Sequence, residues 1–212
     1  MCIFLATSCG NHRKSADWLT SDDVHIAIDE TFRPIMEEEI FVFGANYPEA
    51  TMKPVYCSEN EAIRLLVSDS LRIAVTTRPL SETERKIVES HTLTDRADLV
   101  ATDAMALVVN KSNPDSLITL DEVRGIVTGK ITRWEQLSHS SQQGELKLVF
   151  DDSGSSTVRY MQDSLCLGQE FRGNLYAQGS NEAVLETVKE DPSVIGVLGA
   201  NWLKDAKDSA LS

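Results

Sequence analysis

Three short turns carry the hydroxyls that could do chemistry: Glu30-Thr31-Phe32, Cys57-Ser58-Glu59 and Gly154-Ser155-Ser156-Thr157. Each falls where an extended stretch gives way to a helical one. The first N–H groups of a helix have no partner within it, and the aligned peptide dipoles add partial positive charge there. Several such starts converging on one point would hold a small anion without any net positive charge on the protein. Any one turn alone reads first as an ordinary N-cap, a position that favours Ser and Thr. The third turn asks for more than a cap. Gly154 permits close backbone approach, and three hydroxyls in succession exceed what one helix start uses. The expectation is specific: the amides of residues 31, 58 and 155 should face one shared cavity.

The elements that must position these turns follow from periodicity. Val24 to Ile28 alternates and is β-branched, which predicts a strand broken by Asp29-Glu30-Thr31. Phe32, Met36, Ile40, Phe43 and Tyr47 then share one helical face. Pro34 fits only a first helical turn, which puts the N-cap near Thr31. Pro54 to Cys57 predicts a strand, and Ser58 with Glu61 a capping box opening a helix through Leu66. Leu71 to Thr76 predicts a strand stopped by Pro79, and Ser81 with Glu84 a second capping box for a helix to Ser90. Met105 to Val109 is an apolar run suited to a strand buried on both faces. Thr119 with Glu122 predicts a third capping box and a short helix ending near Gly129. Leu146 to Phe150 and Val194 to Leu198 predict strands; Val158 to Leu165 and Glu182 to Lys189 predict helices. Alternating strands and helices imply an α/β protein with a largely parallel sheet.

Composition narrows the function. The chain has 212 residues and a formal net charge of −13, so a polyphosphate backbone is repelled and nucleic acid is an unsuitable partner. Any anion site must therefore be local. No apolar run reaches the roughly 18 residues of a membrane span. The four His and four Cys show no metal-ligand spacing, so no metal and no cofactor is expected. Cys57 and Cys166 read as small buried hydrophobes. Catalysis is not expected either. A serine-dependent phosphate-ester hydrolase is a remote alternative, because Gly154-Ser155-Ser156-Thr157-Val158 lacks the second Gly of a nucleophile elbow and no His is placed to activate the hydroxyl. Leu5-Ala6-Thr7-Ser8-Cys9-Gly10 resembles the lipobox of bacterial lipoproteins, with Cys9 as the lipidated residue and a polar tether after it; the alternative is a frayed terminus with an incidental cysteine.

A longer pattern is more specific. Asp103-Ala104-Met105-Ala106-Leu107-Val108-Val109-Asn110-Lys111-Ser112-Asn113-Pro114, then Leu120, then Thr128-Gly129-Lys130-Ile131-Thr132-Arg133-Trp134, resembles the periplasmic phosphate-binding proteins of ABC importers. With Thr31-Phe32 and Ile195-Gly196-Val197 the resemblance spans residues 24–203. It implies an α/β, two-lobed type II periplasmic-binding-protein fold, with mixed, mostly parallel sheets flanked by helices and a cleft between the lobes. Residues 1–23 would be leader remnant and tether, 24–104 plus 193–212 the first lobe, and 105–192 the second. The implied ligand is inorganic phosphate or a similar oxyanion, and the implied partner an ABC permease. The protein would act as a monomer in the periplasm or at the cell surface, touching the membrane only through a lipid anchor.

Residue by residue, the resemblance assigns ligand binding to Thr31, to Phe32 through its backbone N–H, to Ser58, and to Ser155, Ser156 and Thr157, with Ser156 in place of the family's Gly. Two positions depart from the family. Thr77 stands where it has an Asp, and Asp151 where it has an Arg. Arg78 and Arg159 lie close enough in sequence to restore the positive charge with a bidentate fork, the alternative for each being a solvated surface residue. Asp151 or Asp152 would become the proton-sensing acceptor. These departures also admit a second reading, a surface-tethered anion sensor or interaction module without transport. Trp134 and Trp202 read as packing anchors, Trp202 onto the first lobe, and Glu37-Glu38-Glu39 as a solvated helix edge.

Overall fold

The computed structural model describes residues 23–115 and 117–203. The sequence reading of Cys9 and its tether lies outside them. Strand β1 (Val24–Asp29) is flanked in parallel by β2 (Met52–Cys57) and β3 (Ile73–Val75), forming a three-stranded sheet in the order β2-β1-β3. The alternating apolar run predicts this strand, and its last four residues are buried. Helices α1 (Arg33–Asn46), α2 (Glu59–Val67) and α3 (Glu82–Ser90) follow the three strands in turn.

The second sheet has the order β4-β7-β5-β6, from β4 (Met105–Val109), β5 (Lys147–Phe150), β6 (Leu175–Ala177) and β7 (Val194–Gly199). Its contacts are parallel except for the antiparallel β4–β7 pair. All six residues of β7 are buried, as a strand apolar on both faces requires. Helices α4 (Leu120–Val127), α5 (Ser156–Tyr160, continued by a π turn over Met161–Leu165) and α6 (Asn181–Glu190) complete this lobe. Its core gathers Trp134, Leu148, Phe150, Met161, Ile195 and Val197 among others. Trp134 is 2% exposed, and its indole N–H donates to the Ser193 carbonyl at 3.0 Å, so it anchors the second lobe by packing and by one satisfied donor.

Several expectations change. The family resemblance puts the segment from residue 193 in the first lobe, but β7 hydrogen-bonds β4 and β5 and stands inside the second sheet. The turn after it, Ala200–Leu203, returns to the first lobe: the Asn201 amide and the Trp202 indole N–H both donate to the Thr31 carbonyl at 2.9 Å. The Trp202 side chain itself packs against the Val184–Val188–Leu198 cluster of the second lobe. Helix α1 starts at Arg33 with Phe32 as N-cap, because Asp29 caps a separate 3-10 turn over Glu30–Phe32. The capping boxes at Ser81–Glu84 and Thr119–Glu122 form as predicted. The one at Ser58–Glu61 does not: Ser58 makes no side-chain cap bond, and Glu61 pairs with Arg64. Strand β6 is an addition that periodicity does not predict.

Candidate functional site

The predicted turns meet where the lobes touch. Thr31 Oγ1 lies 3.3 Å from Ser156 Oγ, and both residues are buried. The Asn60 amide donates to the Gly154 carbonyl at 3.1 Å. A Cβ on Gly154 would stand 3.2 Å from Asn60 Nδ2 and 3.3 Å from Ser58 Oγ, so the glycine lets the two chain segments approach this closely. Ser155 and Thr157 are also buried beside Ser156. Thr31, Ser58 and the 154–157 turn are thus brought together, with half-buried Phe32 at the start of α1.

The expectation about amides fails in detail. The Thr31 N–H donates to the Asp29 carboxylate at 3.1 Å, and the Ser155 N–H to the Asp152 carbonyl at 3.0 Å. Local acceptors two or three residues away reach these donors first, as side chains and carbonyls at tight turns do. The Ser155 hydroxyl also caps α5, accepting from the Val158 N–H at 3.3 Å. The donors left without a helical partner at this start belong to the next residues, Ser156 and Thr157.

The two arginines separate. Arg78 forks onto Glu84, with Nη1 and Nη2 at 2.7 and 2.8 Å, and holds that carboxyl down at about 2. It is committed to the capping box of α3 and does not join the other site residues. Arg159 crosses the seam instead. Its Nε donates to Glu59 Oε2 at 2.6 Å and its Nη2 to Thr77 Oγ1 at 2.6 Å, while Nη1 pairs with Asp163 at 3.2 Å. Thr77 in turn donates to Glu59 Oε1 from its amide at 2.9 Å and its hydroxyl at 2.5 Å.

Acidic groups fill the rest of the seam. Burial raises the Asp29 carboxyl to about 6, opposed by a bond from Ser156, and raises Glu30 to about 7, opposed by bonds from Asn181. The Asn181 side-chain amide donates to Glu30 Oε2 and, at 3.5 Å, to Asp151 Oδ2. Burial raises Asp151 as well. Loss of hydration disfavours the ionised form of each of these three carboxyls. Asp152 has a different occupation, accepting from the Gly154 amide at 2.7 Å within the turn. Sequence reasoning misses Glu59, Glu30, Asp29 and Asn181. Glu59 reads there as an ordinary acidic residue in the first turn of a helix, and nothing near Asn181 marks it. A cavity of about 150 Å³ lies away from the seam, beside Trp134, Leu107, Val109 and Ile195.

A family model described as a PBP superfamily domain matches residues 15–212. The chain belongs to the PBP superfamily. Among curated relatives, the phosphate-binding protein PstS of Bacillus subtilis (strain 168) is 32% identical over 131 residues, covering 61% of this chain and 41% of that protein. The PstS of Staphylococcus epidermidis is 20% identical over 179 residues, 84% of this chain and 54% of that one. This PBP-superfamily chain spans between a third and about half the length of the first curated relatives it matches. Among solved structures, a regulatory domain of OxyR2 from Vibrio vulnificus superposes with a TM-score of 0.63 at 8% identity, covering 92% of this chain and 81% of that one. That likeness shows the fold alone.

Proposed function

We propose that this protein binds inorganic phosphate or a similar oxyanion at the seam between its lobes. In this reading it is an extracytoplasmic, lipid-anchored solute-binding protein, acting as a monomer that passes its ligand to an ABC permease and catalyses no reaction. The observation that carries the reading is the contact between Thr31 and Ser156. Two hydroxyls from turns on different lobes stand side by side, so one small guest would touch both lobes at once. Binding between strand ends and helix starts is what open α/β sheets favour. The PstS names of the relatives support phosphate as the ligand. Thr31, Phe32, Ser58, Ser155, Ser156, Thr157, Thr77 and Arg159 would line the site, and Asp151 would accept a phosphate proton; Arg78 drops out because Glu84 holds it.

Sulfate carries no proton to offer Asp151, so it leaves that acceptor unpaired and binds more weakly. Titration calorimetry with phosphate and with sulfate on the full chain tests the reading. Heat with phosphate and less or none with sulfate is expected. Absence of heat with both, from micromolar to millimolar concentrations, overturns it. A second reading, an anion sensor or interaction module without transport, draws support from the fact that carboxylates already hold both arginines. That reading carries a weak or altered site, so tight phosphate binding that collapses in Ser155→Ala would count against it.

A further inference from the structure

Glu59 opens α2, and its side chain is wholly buried at the seam. Three donors converge on its carboxylate: the Thr77 amide, the Thr77 hydroxyl and the Arg159 Nε. An amide, a hydroxyl and a guanidinium around one pair of oxygens form the donor set that proteins present to an oxyanion. Here the anion is part of the chain. It bridges α2 and the β3–α3 turn of the first lobe to α5 of the second. A carboxylate buried this far would be costly without those partners.

We propose that Glu59 is a built-in counter-anion that sets the affinity of the site. Its carboxylate occupies the Thr77 and Arg159 donors, ties the lobes together, and must be displaced before an oxyanion can use Arg159. The proposal rests on the oxyanion reading above and goes beyond it by assigning a competitor within the chain. A tethered carboxylate competes at high effective concentration, so an external guest binds only as far as it outmatches Glu59. Replacing the carboxylate by a carboxamide removes its charge and one of its two acceptor oxygens, which loosens its hold on the three donors. Removing the guanidinium breaks this one inter-lobe tie and frees nothing for the guest.

The test compares the full chain with Glu59→Gln and Arg159→Gln, using small-angle X-ray scattering without added anion and calorimetry with inorganic phosphate. Circular dichroism confirms folding, and Arg159→Gln, altered at a partly exposed side chain, keeps the test available if Glu59→Gln does not fold. Both variants should show a larger radius of gyration than the parent. Glu59→Gln should bind phosphate at least about tenfold more tightly, the order of one charge-assisted hydrogen bond. Arg159→Gln should show no gain. An unchanged radius of gyration in the folded variants overturns the proposal. So does expansion of Glu59→Gln with phosphate affinity equal to or below the parent. If no protein binds phosphate or sulfate, the oxyanion reading falls, and the scattering data decide the inter-lobe tie by themselves.

Discussion

The Thr31 and Ser156 hydroxyls stand 3.3 Å apart although 125 positions separate them in the chain. One donates to the other, and the Asp29 carboxyl beside them also draws a bond from Ser156, so a guest must compete with Asp29 for the pair's second hydrogen. Thr31→Val and Ser156→Ala should each weaken phosphate binding by about tenfold, the worth of one hydrogen bond to a charged guest. Calorimetry at fixed ionic strength measures this. A double variant with full affinity would remove these hydroxyls from the site.

The buried carboxyls at the seam give stability an unusual pH dependence. Glu30 and Asp29 are raised to about 7 and about 6 from ordinary values of 4.5 and 3.8, chiefly by burial. Between those limits the folded state holds more protons than the unfolded state. Their contribution is therefore complete below pH 3.8 to 4.5 and is lost as pH rises through 6 and 7. The thermal midpoint should rise as pH falls from about 7.5 to 5, and Glu30→Gln should flatten that slope. A midpoint that falls steadily over this range in the parent would contradict the burial argument.

Glu122 acts with the opposite sign. Its carboxylate accepts from the Ser138 amide at 2.6 Å and from the Thr119 amide and hydroxyl at 2.8 Å, which holds it at about 2. That contribution is present above pH 4.5 and is lost as pH falls toward 2. Glu122→Ala should cost about 1 kcal/mol at neutral pH, as loss of a cap does, and should leave the acid limb of the stability profile shallower. Urea titrations at about pH 7 and about pH 3 check both statements.

Gly196 sits at the middle of β7 with side chains from two elements against it. An added Cβ would stand 2.7 Å from Val188 Cγ2 and 2.9 Å from Val108 Cγ2. Gly196→Ala should destabilise by about 1–3 kcal/mol through overpacking. Trimming Val188 to Ala in the same chain should recover part of the loss. An unchanged urea midpoint in the single variant would show that this core yields freely.

Local patterns are legible in the sequence where their partners are local. The runs from Val24, Met105, Leu146 and Val194 form strands, the third beginning at Lys147, and Ser81–Glu84 and Thr119–Glu122 close their capping boxes within four residues. Ser58–Glu61 fails because Arg64 offers Glu61 a charge one turn ahead. Strand β6 escapes a sequence reading because three residues at a sheet edge carry too little periodicity. Of the candidate ligands, Thr31, Ser58 and the 154–157 turn do come together, since strand ends feeding helix starts follow from the α/β order itself.

The sequence alone therefore determined the elements, the placement of hydroxyls at their junctions and the acidic surroundings. It could not determine where β7 pairs, that Arg78 turns to Glu84 while Arg159 reaches Glu59 a hundred positions away, or that the Thr31 and Ser155 amides meet acceptors of their own chain. Periodicity and capping act over a few residues, so they are written in the order of the chain. The choice of partner for a buried donor depends on which acceptor folding brings within about 3 Å, and tertiary packing makes that choice.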